Sequence, residues 1–266
     1  MNRITLITLG LSIAACTSLS SQATSPATPA DYDDAAQTIA SSAVTGSGDG
    51  NSLGGGDVLV LADAVNLAKG RLPFGFLRDG AGRCHGSHLG VNHDFTIACK
   101  DAAGADLATC DKTTDSATVT LKSSGDLMTP HLTASIDREG TWTITGLQSD
   151  TATFNGSSSF SLDTTLTSIF HQDVTASLMF DASAAYDAIT ITTADRQITG
   201  GKASFDVMAH RTVTGTDMAK HDVDKSFAVH AELTFNGDGT ASLVLDGTHA
   251  FTIDLRTGKV TKQPEM

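Results

Sequence analysis

Two periods of hydrophobic spacing divide the chain. In the first ninety residues apolar side chains recur at helical intervals in short stretches. Asp31-Tyr32-Asp33-Asp34 precedes Ala35, Ala36, Ile39 and Ala40, which predicts a short helix ending by Gly46. Residues 46–56, GSGDGNSLGGG, read as a loop. Asp57 then caps Val58, Leu61, Ala62, Val65 and Ala68 at helical spacing, with Gly70 as the stop. Residues 58–61 also fit a strand.

From about residue 92 the period becomes two. Phe227, Val229, Ala231, Leu233 and Phe235 alternate with Ala228, His230, Glu232 and Thr234. The same alternation places Ala203, Phe205, Val207 and Ala209 on one face, and likewise Leu243/Leu245 and Phe251/Ile253/Leu255. Earlier sets are Val119/Leu121, Leu132/Ala134/Ile136, Trp142/Ile144, Ala152/Phe154, Phe160/Leu162 and Leu178/Phe180. One apolar and one polar face marks antiparallel strands covered on one side only. Turn signals stand at Arg138-Glu139-Gly140, Asn155-Gly156, Gly200-Gly201, Asn236-Gly237-Asp238-Gly239, Asp246-Gly247 and Thr257-Gly258. Keeping Leu233 and Leu243 on one face favours a three-residue loop, Gly237-Asp238-Gly239, with Gly239 free to be left-handed. The same parity favours a three-residue loop at Asp246-Gly247-Thr248. The expected fold is mainly β: an antiparallel meander of roughly ten strands, curled or barrel-like, with one or two short N-terminal helices. No helices separate the later strands, so a βαβ fold is not expected.

Composition narrows the function classes. The chain has 266 residues and 40% hydrophobic content, enough for one sizeable core. Its formal net charge of −13 argues against a general nucleic-acid binder, which needs a basic footprint. Aromatic residues make up 5% with a single Trp, so stacking platforms for sugars or bases are poorly supported.

The N-terminus carries the most specific signal. Met1-Asn2-Arg3 gives a short positive start, and residues 4–15 are apolar apart from Thr, Ser and Gly. That run is too short for a bilayer span of roughly 20 residues and has the length of a signal-peptide core. It ends Leu11-Ser12-Ile13-Ala14-Ala15-Cys16, which resembles the bacterial lipobox. The resemblance implies cleavage before Cys16, diacylglycerol on its thiol and acylation of its new amino group. Several acyl chains, at about 0.8 kcal/mol per buried CH₂, make a stable anchor where one does not. Thr17 in place of Asp after the cysteine leans, by the same resemblance, toward the outer membrane, facing periplasm or cell surface. Ser21-Gln22-Ala23 offers the alternative cleavage site of an ordinary secreted protein. The expected organisation is a signal peptide over 1–15, a lipidated tether and flexible segment over 16–56, and one β-rich domain with an N-terminal helix over 57–266.

Cys84, Cys99 and Cys110 remain in the mature chain. An oxidising envelope favours a disulfide. Cys99–Cys110 would close a short loop, and Cys84–Cys99 is the rival pairing. No metal or other cofactor is expected, but two sets of secondary metal candidates exist. His85, His88 and His93 lie near Cys84, without a standard zinc spacing. If strands 203–213 and 226–235 pair about a loop centred near 218–220, His210 faces His230 beside Glu232. There is no Walker loop, dinucleotide fingerprint, HExxH or GxSxG. Asp49-Gly50-Asn51 opens like a calcium loop, but Leu53 and Val60 occupy ligand positions.

Residues from about 92 to 260 are similar to a family of uncharacterised β-rich lipoproteins of Gram-negative bacteria, on the segments TWTITGLQSDTATFNGSSSF (141–160) and LTFNGDGTASLVLDGTHAFTIDLRTGKV (233–260). The resemblance brings no activity. The expected function is that of a non-enzymatic envelope module, either binding or structural, whose partner is an envelope protein. One alternative is a half-barrel carrier of a lipid or other hydrophobic ligand, and another is a metal-dependent or hydrolytic enzyme. A Cys16→Ser chain should lose labelled fatty acid and leave the membrane fraction; unchanged labelling rejects the anchor.

Overall fold

The computed structural model describes residues 25–43, 65–66, 68–72, 76–79, 83–88, 90–167, 174–195, 197–215 and 223–264. The proposed acylation site at Cys16, most of the tether and the first two turns of the second expected helix lie outside these residues. Among the described residues one helix of some length, α1 (Pro29–Ala43), is followed by thirteen strands in one antiparallel sheet. In chain order these are β1 (Leu77–Arg78), β2 (Arg83–His88), β3 (Val91–Lys100), β4 (Asp106–Leu107), β5 (Ser116–Met128), β6 (Leu132–Thr145) and β7 (Thr151–Thr167). They continue as β8 (Thr175–Thr192), β9 (Ile198–Thr214), β10 (Val223–Phe235), β11 (Thr240–Leu245), β12 (His249–Asp254) and β13 (Val260–Lys262). Neighbours in space are neighbours in sequence, except that β4 pairs the end of β3 and β5 pairs β3 directly. The sheet curls and does not close on itself.

The period-two sets all fall on one face, called inner here because it carries the core. Val119, Trp142, Phe154, Ile189, Leu233, Leu243 and Ile253 are wholly buried on it. Both parity arguments hold. Leu233 pairs Leu243, Asn236 closes on Thr240, and the loop is Gly237-Asp238-Gly239, with Gly239 at φ +86°. Leu245 pairs His249 around Asp246-Gly247-Thr248.

Three expected turns are strand interior instead. Residues 138–140 run through β6, Asn155-Gly156 through β7, and Gly200-Gly201 through β9. The reason at the first two is packing. The ring of Trp142 packs against Gly140 and, through Cδ1, Gly156, so a Cβ on Gly140 would stand 2.2 Å from Cη2 of the indole. Glycine there makes room for the largest core side chain rather than for a reversal. Gly156 also adjoins a β-bulge in the β7–β8 ladder. With those turns gone, β6 to β9 extend to 14, 17, 18 and 17 residues, far longer than the usual five or six.

The expected helix near residue 31 is α1. It lies inside the span read as tether and flexible segment, yet Ala35, Ala36, Ile39 and Ala40 are buried in the core. The packed domain therefore begins at about residue 29. Of the second expected helix, Val65, Asn66 and Ala68 are helical, and Val65 and Ala68 are buried in the same core. Gly70 ends it at φ +79°. Cys99 and Cys110 form the disulfide, and Cys84 is a buried free thiol.

A Cβ on Gly156 would stand 2.3 Å from the Thr141 carbonyl oxygen and 2.8 Å from Trp142 Cα, whereas one on Gly239 would meet nothing within 4 Å. Gly156→Ala should therefore lose about 3 kcal/mol in urea denaturation followed by Trp142 emission. Gly239→Ala should lose only about 1 kcal/mol, from its left-handed backbone. Equal losses would reject this account of Gly156.

Candidate functional site

The inner face is not uniformly covered. Along β6 the inward positions run from Ile144 and Trp142, at 0% exposure, to Ile136, Ala134 and Leu132, which are half-buried. On β7 they run from buried Phe154 to half-buried Phe160 and Leu162, ending at Leu166, 51% exposed. The change comes earlier on β6 and β7 than on β8 to β10, where Phe180, Ala209 and Phe227 are still buried and only the last two rows open. One lateral row holds Arg138, Phe160, Ala182, Val207 and Val229. Nearer the edge come Ile136, Leu162, Phe180, Ala209 and Phe227. The next row holds Ala134, Thr164, Leu178, Arg211 and Lys225, and the last Leu132, Leu166, Ala176, Val213 and Val223. The closed half is filled by α1, by Val65 and Ala68, and by large side chains of the sheet. The open part, called the trough here, is a stretch of mostly apolar inward side chains, interrupted by Thr164, Arg211 and Lys225, and about 20 Å long on β6 from the six residues between Arg138 and Leu132.

A polar strip crosses the boundary between the halves. His93 on β3 shares a hydrogen bond of 2.8 Å with the Ser123 hydroxyl on β5, through Nδ1. Ser123 pairs with Arg138 on β6, and both are buried. Burial pushes the Arg138 guanidinium down to about 10, with the nearby Tyr186 resisting, so it stays charged at neutral pH. Burial raises the Tyr186 phenol, while its hydrogen bond with Ser158 and the Arg138 charge oppose the rise. The sequence concealed Arg138 inside an expected turn. Its position, two residues beyond inward Ile136, was the available signal.

The opposite flank of the open half is held by a clasp from α1. The Asp31 carboxylate accepts from the Thr28 backbone N–H (2.6 Å) and hydroxyl (2.5 Å), and pairs with the Lys225 ammonium. Lys225 also stands 5.8 Å from the Phe227 ring centroid. Burial works against the Asp31 charge, but the bonds from Lys225 and Thr28 outweigh it and hold the carboxyl below its ordinary range. Further along, Tyr32 stacks on His249 at 3.9 Å and donates to Asp246 at 2.8 Å. Gln37 donates to the Gly258 carbonyl at 3.3 Å. These contacts lay α1 across β10 to β13.

The secondary metal candidates are not brought together. Cys84 and His93 belong to the inner face, but His85, paired with Asp94, belongs to the outer. His88 is placed in β2 opposite Val91 by its backbone. The β9–β10 register is centred on residue 218, so His210 faces Ser226 and His230 faces Asp206, not each other. Glu232 faces Ser204. This register sets Phe205 against Ala231 and Ala209 against Phe227, large against small; the expected one would have set Phe205 against Phe235. His230 Nδ1 bonds Asp206 at 2.7 Å and His210 Nδ1 bonds Ser226 at 2.8 Å, both on the outer face. A shallow outer groove of about 790 Å³ runs beside them, with Asp137, Asp181, Asp206 and Asp246 along its walls. Among the described residues no three His, Cys, Asp or Glu side chains converge on one point. Nor is any described helix long and apolar enough to cross a membrane.

No protein family, curated protein or solved structure matches the chain.

Lys225→Met should cost about 1–3 kcal/mol at pH 7, because it leaves a buried carboxylate short of its main partner. Asp31 is depressed in the fold, so its contribution is present above the ordinary Asp value near 3.9 and lost as pH falls through the lower folded one. The gap between wild type and variant in urea denaturation should therefore narrow below about pH 4. A gap constant down to pH 3 would mean that Lys225 acts through packing on Phe227 alone.

Proposed function

We propose that the protein is a lipid-anchored, non-enzymatic module of the bacterial envelope that carries a hydrophobic ligand on the open half of its inner face. The observation that carries this reading is the burial gradient. An apolar sheet face is covered by helix and core side chains toward one end and left partly exposed toward the other, earliest on β6 and β7. A sheet with only a structural task gains nothing from leaving Leu132, Leu162, Leu166 and Leu178 in contact with water. Apolar surface bordered by a few polar groups is a common feature of small-molecule sites. Here the polar groups are Arg138, Ser123 and His93, and the walls are aliphatic and Phe side chains.

The anchor part of the proposal rests on the lipobox-like run ending at Cys16, and the outer membrane on Thr17. The Cys99–Cys110 disulfide fits an oxidising compartment. A second reading, an envelope scaffold, is favoured by the closed half, where α1, Val65 and Ala68 fill the trough.

Native mass spectrometry of the Cys16→Ser protein separates the two. A carrier retains a lipid-sized mass that is lost on denaturation, and Leu178→Asn should reduce its occupancy severalfold. A clean apo mass under gentle conditions favours the scaffold.

A further inference from the structure

We infer that the open end of the trough is held against the surface of a phospholipid bilayer, with the tips of β5 and β7 touching the lipid. The inference rests on the anchored-carrier reading above and adds an orientation to it.

The first observation is where the tether joins the domain. The Ser25 backbone N–H donates to the Ser226 carbonyl at 2.8 Å, and Asp31 then fixes the start of α1 to Lys225. Both β10 residues lie within four positions of the strand's start at Val223, which is the open edge. Nine peptide steps separate Cys16 from Ser25. Fully extended, they reach at most about 30 Å. The closed end of β10, at the Gly237-Asp238-Gly239 loop, is eleven residues from Ser226. That is about 37 Å along the strand. Within that reach an acylated Cys16 cannot stand the domain upright on its closed end, whereas the open end, where Ser25 is fixed, lies inside it.

The second observation is independent of the tether. The open edge carries apolar side chains in water: Leu127 and Met128 end β5 at 46% and 81% exposure, and Leu166 stands near the end of β7 at 51%. The closed end presents Gly237, Asp238, Arg256 and Thr257 instead. Among the described residues the remaining exposed large apolar side chains are elsewhere, with Met179 and Met208 on the outer face and Leu72 and Leu77 before β2. Charge on the open edge is mixed, with Arg211 and Lys225 on the inner face against Asp126 and Asp224 on the outer. The contact is therefore short-range and apolar, and needs no anionic lipid. A mouth in that position lets an acyl chain pass between bilayer and trough without crossing bulk water.

The test uses the full lipidated chain in phosphatidylcholine vesicles, part of whose lipid is brominated in the acyl chains. Met128→Trp and Leu166→Trp place a reporter at the open edge, and Arg256→Trp at the closed end. Buried Trp142 gives a constant background. The edge reporters should shift to the blue and lose at least half their emission to the brominated lipid; the Arg256→Trp signal should be unchanged from that of unbrominated vesicles. Equal quenching at both ends, or none at either edge position, overturns the orientation. The intact mass of the same sample separates the failures. Acyl chains on Cys16 without edge quenching overturn this inference alone, whereas a chain without acyl groups overturns the anchored reading as well. An apo mass with edge quenching removes the carrier and leaves the orientation standing.

Discussion

The apolar face of a sheet that never closes has to be kept from water by something other than the sheet. A closed barrel shields its interior with its own strands, but here the strands run from β1 to β13 without meeting. Every inward residue then depends on helices, on neighbouring side chains or on a ligand. The long antiparallel register turns this into a collective property, because rows of inward residues stand at one level across β6 to β10. Cover fades along the rows as well as between them: beside half-buried Ile136 and Leu162, Phe180, Ala209 and Phe227 of the same row are core.

Two devices supply the cover. Trp142 fills the middle of the closed half by lying on Gly140 and Gly156, which have no side chains to hold it off. Its indole Nε1 is buried without a hydrogen-bond partner, a cost that the surrounding apolar contacts must offset. The other device is α1, whose small residues let it approach the strands closely. Asp31, Tyr32 and Gln37 fix it by polar contacts along its length, from Lys225 at the open side to Gly258 at the closed one. The same contacts determine where the preceding chain leaves the domain, so the packing of α1 and the proposed attachment are coupled.

The functional reading follows from that coupling. A lipid anchor alone says only that a domain stays near a membrane. An apolar trough alone offers no supply of ligand. Joined at the open edge, the two give the proposed module, which would meet lipid at that edge and hold it beside a polar strip of His93, Ser123 and Arg138. The outer face, with His230 on Asp206 and scattered acids, has the character of a solvated surface that keeps an acidic chain soluble.

Much of this was legible in residue order. Strict alternation determined which side chains share a face, because the period of a strand is two whatever its partner. Parity determined the two C-terminal loops, and the early acids and alanines determined a helix at α1. The run ending at Cys16 gave the expectation of a lipid anchor. Residue order did not distinguish a glycine that turns the chain from one that makes room for an indole, since the difference lies in a neighbour on the same or the next strand. It did not determine the β9–β10 register, where large-against-small packing across strands chose among alternatives of equal parity and dispersed His210, His230 and Glu232. It also left Arg138 unread, because its inward direction depends on β6 running through the expected turn. Only the tertiary structure decided which half of the inner face is covered, because cover depends on where α1 comes to rest against distant strands.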